Sequence, residues 1–176
     1  GRELVFLDPR GFGRVSVDPQ LIASIAPDPG EPEWDGAKLA HRLSGRRRAI
    51  RDLLLDSRLV GGIGNIYANE ALFLANIEPN RPGTTLTPDE IEKLSETLQK
   101  VFRDAVAFGM GLDLDWEGAA SANKLFYFGT QSTPKTTERF YVYDREGAAC
   151  TVCGASITRR QWGGRPAFTC PNIQAH

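Results

Sequence analysis

The stretch LLLDSRLVGGIGNIYANEALF, residues 53–73, decides how the rest of the chain is read. Apolar residues recur at helical spacing on both sides of GGIGN (Gly61–Asn65), and the glycines break that spacing. Upstream, Leu39, Leu43, Ile50, Leu53, Leu54 and Leu55 carry the same period, with Ser44–Gly45 separating two helices. Downstream, Asn65 is placed to cap a helix over IYANEALFLAN, which Pro79 and Pro82 end. A glycine-rich turn that opens a helix points backbone N–H groups outward at the positive end of the helix dipole. Gly62, Gly64 and the Asn65 amide are therefore candidates for holding an anion such as a phosphate. The alternative, equally weighted, is that the glycines only permit a tight turn between packed helices.

Further along, Thr87, Pro88 and Glu90 supply an N-cap, a proline at the first helical position and a capping-box acid. Ile91, Leu94, Leu98, Val101, Phe102 and Ala105 then form one apolar stripe, and the helix is expected to end at Gly109. Residues 109–134 show no sustained period and read as a long loop. RFYVYD (139–144) and PAFTCP (166–171) read as a strand pair bracketing a cysteine-bearing segment. At the other end, ELVFL and GRVSV are expected to be two short strands joined by the turn DPRGFG. Two strands cannot bury a sheet face alone, so they belong to something larger. Pro27, Pro29, Gly30 and Pro32 mark a linker behind them. The boundaries are then 1–30, 35–134 and 135–176.

Composition narrows the class of protein. The chain has 176 residues, 41% hydrophobic and 24% charged, as in ordinary globular proteins. It has no apolar run of the roughly 20 residues that span a bilayer and no signal-peptide pattern, which sets the expectation of a cytoplasmic, nucleoid-associated, monomeric protein with no membrane partner. A net charge of −1 does not advertise nucleic-acid binding, yet Arg42–Arg51 (RLSGRRRAIR) holds five arginines and no acid. Between Lys135 and His176, six basic residues face three acids, while acidity gathers in Asp89–Glu117. A basic face is thus compatible with the near-neutral total.

Three cysteines, two of them in Cys150-x-x-Cys153, fit a reducing compartment and a metal site better than a disulfide framework. Cys170 follows Cys153 after 16 intervening residues, a spacing usual for paired zinc knuckles, but a closing cysteine is replaced by Ile173. His176 completes a Cys₃His set, water fills the gap, or packing alone holds the segment. In DPRGFG, Arg10 and Phe12 project on the same side of the turn, as a cation and an apolar wedge for a nucleic-acid groove or as a phenylalanine folded into the core.

Taken in order and spacing, DPRGFG, LLLDSRLVGGIGNIYANEALF, VYDREGAACTVCG and GGRPAFTCP resemble the formamidopyrimidine-DNA glycosylase and endonuclease VIII family of base-excision repair enzymes over nearly the whole chain. The resemblance implies an α+β protein: a mainly helical helix-two-turn-helix domain, a C-terminal zinc-finger-like β-hairpin with one zinc ion, and a remnant of an N-terminal β-sandwich. It implies that Asn65 contacts phosphate next to a lesion and that Arg165, in the hairpin turn, grips the phosphates flanking an extruded nucleotide. Arg10 and Phe12 would fill the space left in the duplex, and Arg51 stands where the family has a lysine near the DNA backbone. Residues 109–134 correspond to the loop that folds over the extruded base in some members.

The family's catalytic amine is an N-terminal proline followed by glutamate, and its sandwich domain adds a lysine; the sequence begins instead with Gly1, with Glu3 in a strand. The expectation is therefore a protein that binds damaged or abasic double-stranded DNA without the catalytic residues. The alternatives are a fragment of a bifunctional glycosylase and AP lyase that removes oxidised bases, or a structural RNA-binding nucleoprotein component.

Overall fold

The structure, a computed structural model, describes Phe6 and residues 15–110 and 140–175. Helix α1 (Pro19–Ala23) is started by Asp18, whose Oδ1 accepts from Gln20 N at 2.9 Å, and it buries nothing. Val17, Ile22 and Ile25 lie exposed along this segment, Val17 at 94%. Residues 15–17 form no strand. The rest of the expected hairpin, Phe6 apart, falls outside the described residues.

Helix α2 (Gly36–Leu43) is capped by Asp35 and stops before Ser44–Gly45, as its sequence signals. The arginine-rich run that follows is not a solvated helix face but a connection, and it pairs with the segment after α4. Ile50 N donates to Arg81 O (2.8 Å), Gly83 N to Arg48 O (3.0 Å), and Ala49 bridges Pro82. Short helix α3 (Ile50–Leu54) leads through the glycine turn into α4 (Asn65–Ala75), which ends on Asn76 in the left-handed region (φ 63°). Helix α5 (Pro88–Met110) begins with the expected capping box: Glu90 N donates to Thr87 Oγ1 at 3.2 Å and Thr87 N to Glu90 Oε2 at 2.8 Å. Leu94, Leu98 and Val101 on its stripe bury against Leu39, Leu53, Leu54 and Leu72 in one core.

Strands β1 (Thr158–Trp162) and β2 (Arg165–Thr169) pair antiparallel, Trp162 opposite Arg165. The two-residue loop is Gly163–Gly164, both at positive φ (54° and 75°), the turn whose twist matches that of the strands. The reading of RFYVYD as the partner strand is corrected: residues 140–144 form turns, with Asp144 at φ 57°. Their amides are satisfied by a side chain of α4 rather than by a ladder. A second, smaller core of Phe73, Val142, Ile157 and Phe168 joins this region to α4, with the Phe73 and Tyr141 rings stacked 5.5 Å apart. Helix α4 is thus walled on one side by helices and on the other by the hairpin, which explains why its residues are apolar apart from Asn65, Asn69 and Glu70.

Candidate nucleic-acid interface

Asn65 does not cap α4. Gly64 holds the N-cap position in extended conformation and no side chain caps the helix, so the first-turn amides have no capping side chain. The Asn65 side chain turns toward the hairpin instead: Nδ2 donates to Pro166 O at 3.0 Å, and Oδ1 accepts from Arg51 Nη2 at 2.6 Å. An amide nitrogen carries two hydrogens, so Asn65 keeps one donor beyond the Pro166 bond.

Arg51 is the centre of this arrangement. It is 1% exposed, and besides Asn65 its guanidinium donates to Pro166 O (3.0 Å) and Arg165 O (3.3 Å), with Trp162 O at 3.5 Å. Burial lowers the Arg51 pKa from its ordinary value, Asp52 opposes the shift and Arg165 adds to it. The Nε atom is buried and has no hydrogen-bond partner among the described residues. One arginine therefore fastens the start of α4 to the turn of the hairpin, and the Asn65 side chain lies against the main chain next to Arg165, whose own side chain is exposed. A groove of about 490 Å³ lies there, lined by Arg48, Arg51, Asp52, Asp56, Gly163 and Arg165. Arg58 and Arg48 engage Asp56 and hold its carboxyl down to about 2, so this acid is neutralised in place.

The glycines separate cleanly. Gly62 has φ +72°, and a Cβ there would meet Phe102 at 3.0 Å, so the fold demands it. Gly64 has φ −97° and a Cβ would meet nothing within 4 Å, so the fold does not. Gly62→Ala is expected to cost about 1 kcal/mol or more in stability, whereas Gly64→Ala should melt like the parent. If Gly64 gives a ligand close access to the backbone, the second variant alone loses anion affinity; thermal denaturation and binding of both variants check this.

Polar residues that sequence reasoning missed dock the hairpin onto α4. Asn69 Oδ1 accepts from Phe168 N at 2.9 Å, and its Nδ2 donates to Asn65 O at 2.6 Å. Glu70 accepts from the amides of Tyr141 (2.7 Å), Val142 (2.9 Å) and Tyr143 (2.9 Å). Burial pushes the Glu70 carboxyl up, and these amides, with Arg145, pull the other way. Gln174 spans Cys170 N and Ile77 O. The available signal was polarity out of place: Asn69 and Glu70 are adjacent polar residues inside an otherwise apolar helix.

The Sγ atoms of Cys150, Cys153 and Cys170 lie within 4.8 Å of one another, close enough to hold a metal ion. Three thiolates bound to tetrahedral zinc at about 2.3 Å sit about 3.8 Å apart, so the donor set fits that ion. Val152 N donates to Cys150 Sγ at 3.5 Å; burial pushes the Cys170 thiol up, and the amides of Ile173 and Asn172 pull the other way. Arg10, Phe12, His176 and residues 111–139 lie outside the described residues.

The helix-two-turn-helix domain of formamidopyrimidine-DNA glycosylase matches residues 25–113. The formamidopyrimidine-DNA glycosylase of Chloroflexus aurantiacus is 40% identical over 99% of this chain and 61% of its own length, and that of Thermosynechococcus vestitus 36% identical over 98% and 60%. The chain thus spans about three-fifths of the length of these curated relatives. Among solved structures, the MutM (Fpg) protein of Thermus thermophilus aligns with a TM-score of 0.76 at 31% identity, covering 96% of this chain and 63% of that one. A complex of Lactococcus lactis Fpg with abasic-site DNA aligns at 0.72 and 29% identity, covering 89% and 54%. Among the described residues, no helix is long and apolar enough to cross a membrane.

Proposed function

The chain belongs to the formamidopyrimidine-DNA glycosylase family, and on that premise we propose that it grips duplex DNA around a damaged or abasic nucleotide. The supporting observation is the Arg51 fastening: one guanidinium holds the Asn65 side chain and the main chain of Arg165 and Pro166, which leaves Asn65 a spare donor and the Arg165 side chain exposed at the turn, next to a helix start without a capping side chain. Donors aimed at a common anion, with an excess of positive charge around them, suit successive phosphates of a strand. Arg165 faces solvent for this purpose, and Arg51 acts from behind.

Arg10 and Phe12 are assigned the space vacated in the duplex, and the exposed apolar residues between Val15 and Ile25, on and beside α1, are assigned to a face that packs on an N-terminal β-sandwich. The cysteine cluster is assigned one zinc ion, whose task is to stiffen the hairpin that carries Arg165. Removal of an oxidised base, the activity that the relatives' name implies, is proposed for a chain that also bears a catalytic amine; the residues described here supply the grip.

Fluorescence anisotropy with a duplex carrying a stable abasic analogue tests this. Arg165→Ala and Asn65→Ala are each expected to weaken binding by about tenfold, and removing the Arg165 phosphate contact should reduce the slope of log affinity against log salt by about 0.9. Arg165→Ala should melt with the parent because its side chain is exposed. Unchanged affinity in both variants would sink the assignment.

A further inference from the structure

We propose that the three-thiolate centre leaves one coordination position open to a ligand from outside the chain, and that a small thiolate is the ligand best suited to it. The two cysteine loops converge: the three Sγ atoms lie within 4.8 Å of one another, Cys153 Sγ and Cys170 Sγ are 3.4 Å apart, and Val152 N donates to Cys150 Sγ. The position that would complete the second loop is Ile173, a half-buried aliphatic side chain packed against the cluster of Phe73, Cys150 and Cys170. It has no donor atom. The neighbouring polar side chain, Gln174, is buried with its oxygen accepting from Cys170 N and its nitrogen donating to Ile77 O. Among the described residues, the cluster contains no fourth Cys, His, Asp or Glu.

The Ile173 side of the cluster reaches the surface: Pro171, Asn172 and Ala175 are exposed around half-buried Ile173, and across from them Cys153 is exposed while Cys150 and Cys170 are buried. A tetrahedral ion held by three protein ligands keeps its fourth place for an exogenous molecule, and an ion already surrounded by soft sulfur accepts another soft donor readily. The chain therefore carries a ligand-exchange position at the surface of a centre that in a four-cysteine version would be closed. This inference rests on the metal assignment and is independent of the DNA contacts.

Cobalt(II) in place of zinc makes the test visible, since each cobalt–thiolate bond adds to the ultraviolet charge-transfer band. Adding 2-mercaptoethanol to the cobalt-loaded chain should raise that band by about a third, as three thiolates become four. Ile173→Cys should show the higher intensity from the start and not respond to the thiol. Its cobalt should also leave more slowly when a chelator is added. A parent spectrum that ignores the thiol overturns the proposal, including the case in which only His176→Ala responds, because His176 then fills the position. Absence of a tetrahedral cobalt spectrum overturns it as well, and leaves the anisotropy result above untouched.

Discussion

Arg51→Ala is expected to lower affinity for abasic-site DNA by about a hundredfold and to destabilise the fold by about 3 kcal/mol or more. The side chain is almost fully enclosed, and its removal takes a donor from Asn65 Oδ1, left with the 3.4 Å bond from Asn69 Nδ2, from Pro166 O, left with Asn65 Nδ2, and from Arg165 O. Each buried unpaired acceptor costs about 1–3 kcal/mol. Freed from that brace, the hairpin turn loses its fixed distance to α4, and Asn65 and Arg165 no longer meet a strand in register. Arg51→Lys separates positioning from general damage: an ammonium has three donors and can restore two of the lost bonds. It should regain most of the stability and bring affinity within about tenfold of the parent. Thermal denaturation and anisotropy on the three proteins check this. An alanine variant that binds as tightly as the parent would remove Arg51 from the interface.

Glu70→Ala should be the most destabilising single change on α4, at about 3–5 kcal/mol. It leaves three amides, those of Tyr141, Val142 and Tyr143, facing a void next to the smaller core. Glu70→Gln keeps the volume but offers an NH₂ where one carboxylate oxygen stood. Since Oε1 serves two of the amides and Oε2 the third, glutamine can satisfy two and must repel one, for a cost of about 2 kcal/mol. Hydrogen exchange gives the discriminating readout: the Tyr141–Tyr143 amides should lose protection first, while Leu94 and Leu98 on α5 keep theirs. Uniform loss throughout the chain would mean that Glu70 supports the whole fold and not the docking of the hairpin.

Much of the helical half was legible in the sequence because its determinants are local. The Thr87–Glu90 box, the stripe through Leu94, Leu98 and Val101, and the break at Ser44–Gly45 each depend on residues within a few positions of one another. The hairpin was misplaced because its determinants are distant or silent. β1 reads TRRQW with its middle residues exposed, so it shows no apolar period, and the turn at Gly163–Gly164 was placed only through the resemblance. RFYVYD alternates like a strand, but its amides belong to Glu70, some 70 residues earlier in the chain. At the candidate site, Asn65 is legible from the glycine-rich turn and from the resemblance, Arg165 from the resemblance alone, and the Asn65 side chain meets the main chain beside Arg165. The resemblance puts Arg51 at the DNA backbone, and its burial behind the hairpin was not legible because nothing in RLSGRRRAIR distinguishes the arginine that is buried from those that are not.

In the hairpin turn, every group that Arg51 holds is a main-chain carbonyl, at Trp162, Arg165 and Pro166. Side-chain substitution cannot delete a carbonyl. A systematic alanine scan of the turn would therefore label Arg165 a ligand-binding residue and miss its part in assembly altogether. The same circumstance leaves the turn free to vary: lineages could exchange its side chains to suit new substrates while the joint to the helical half persisted, inherited through backbone shape alone.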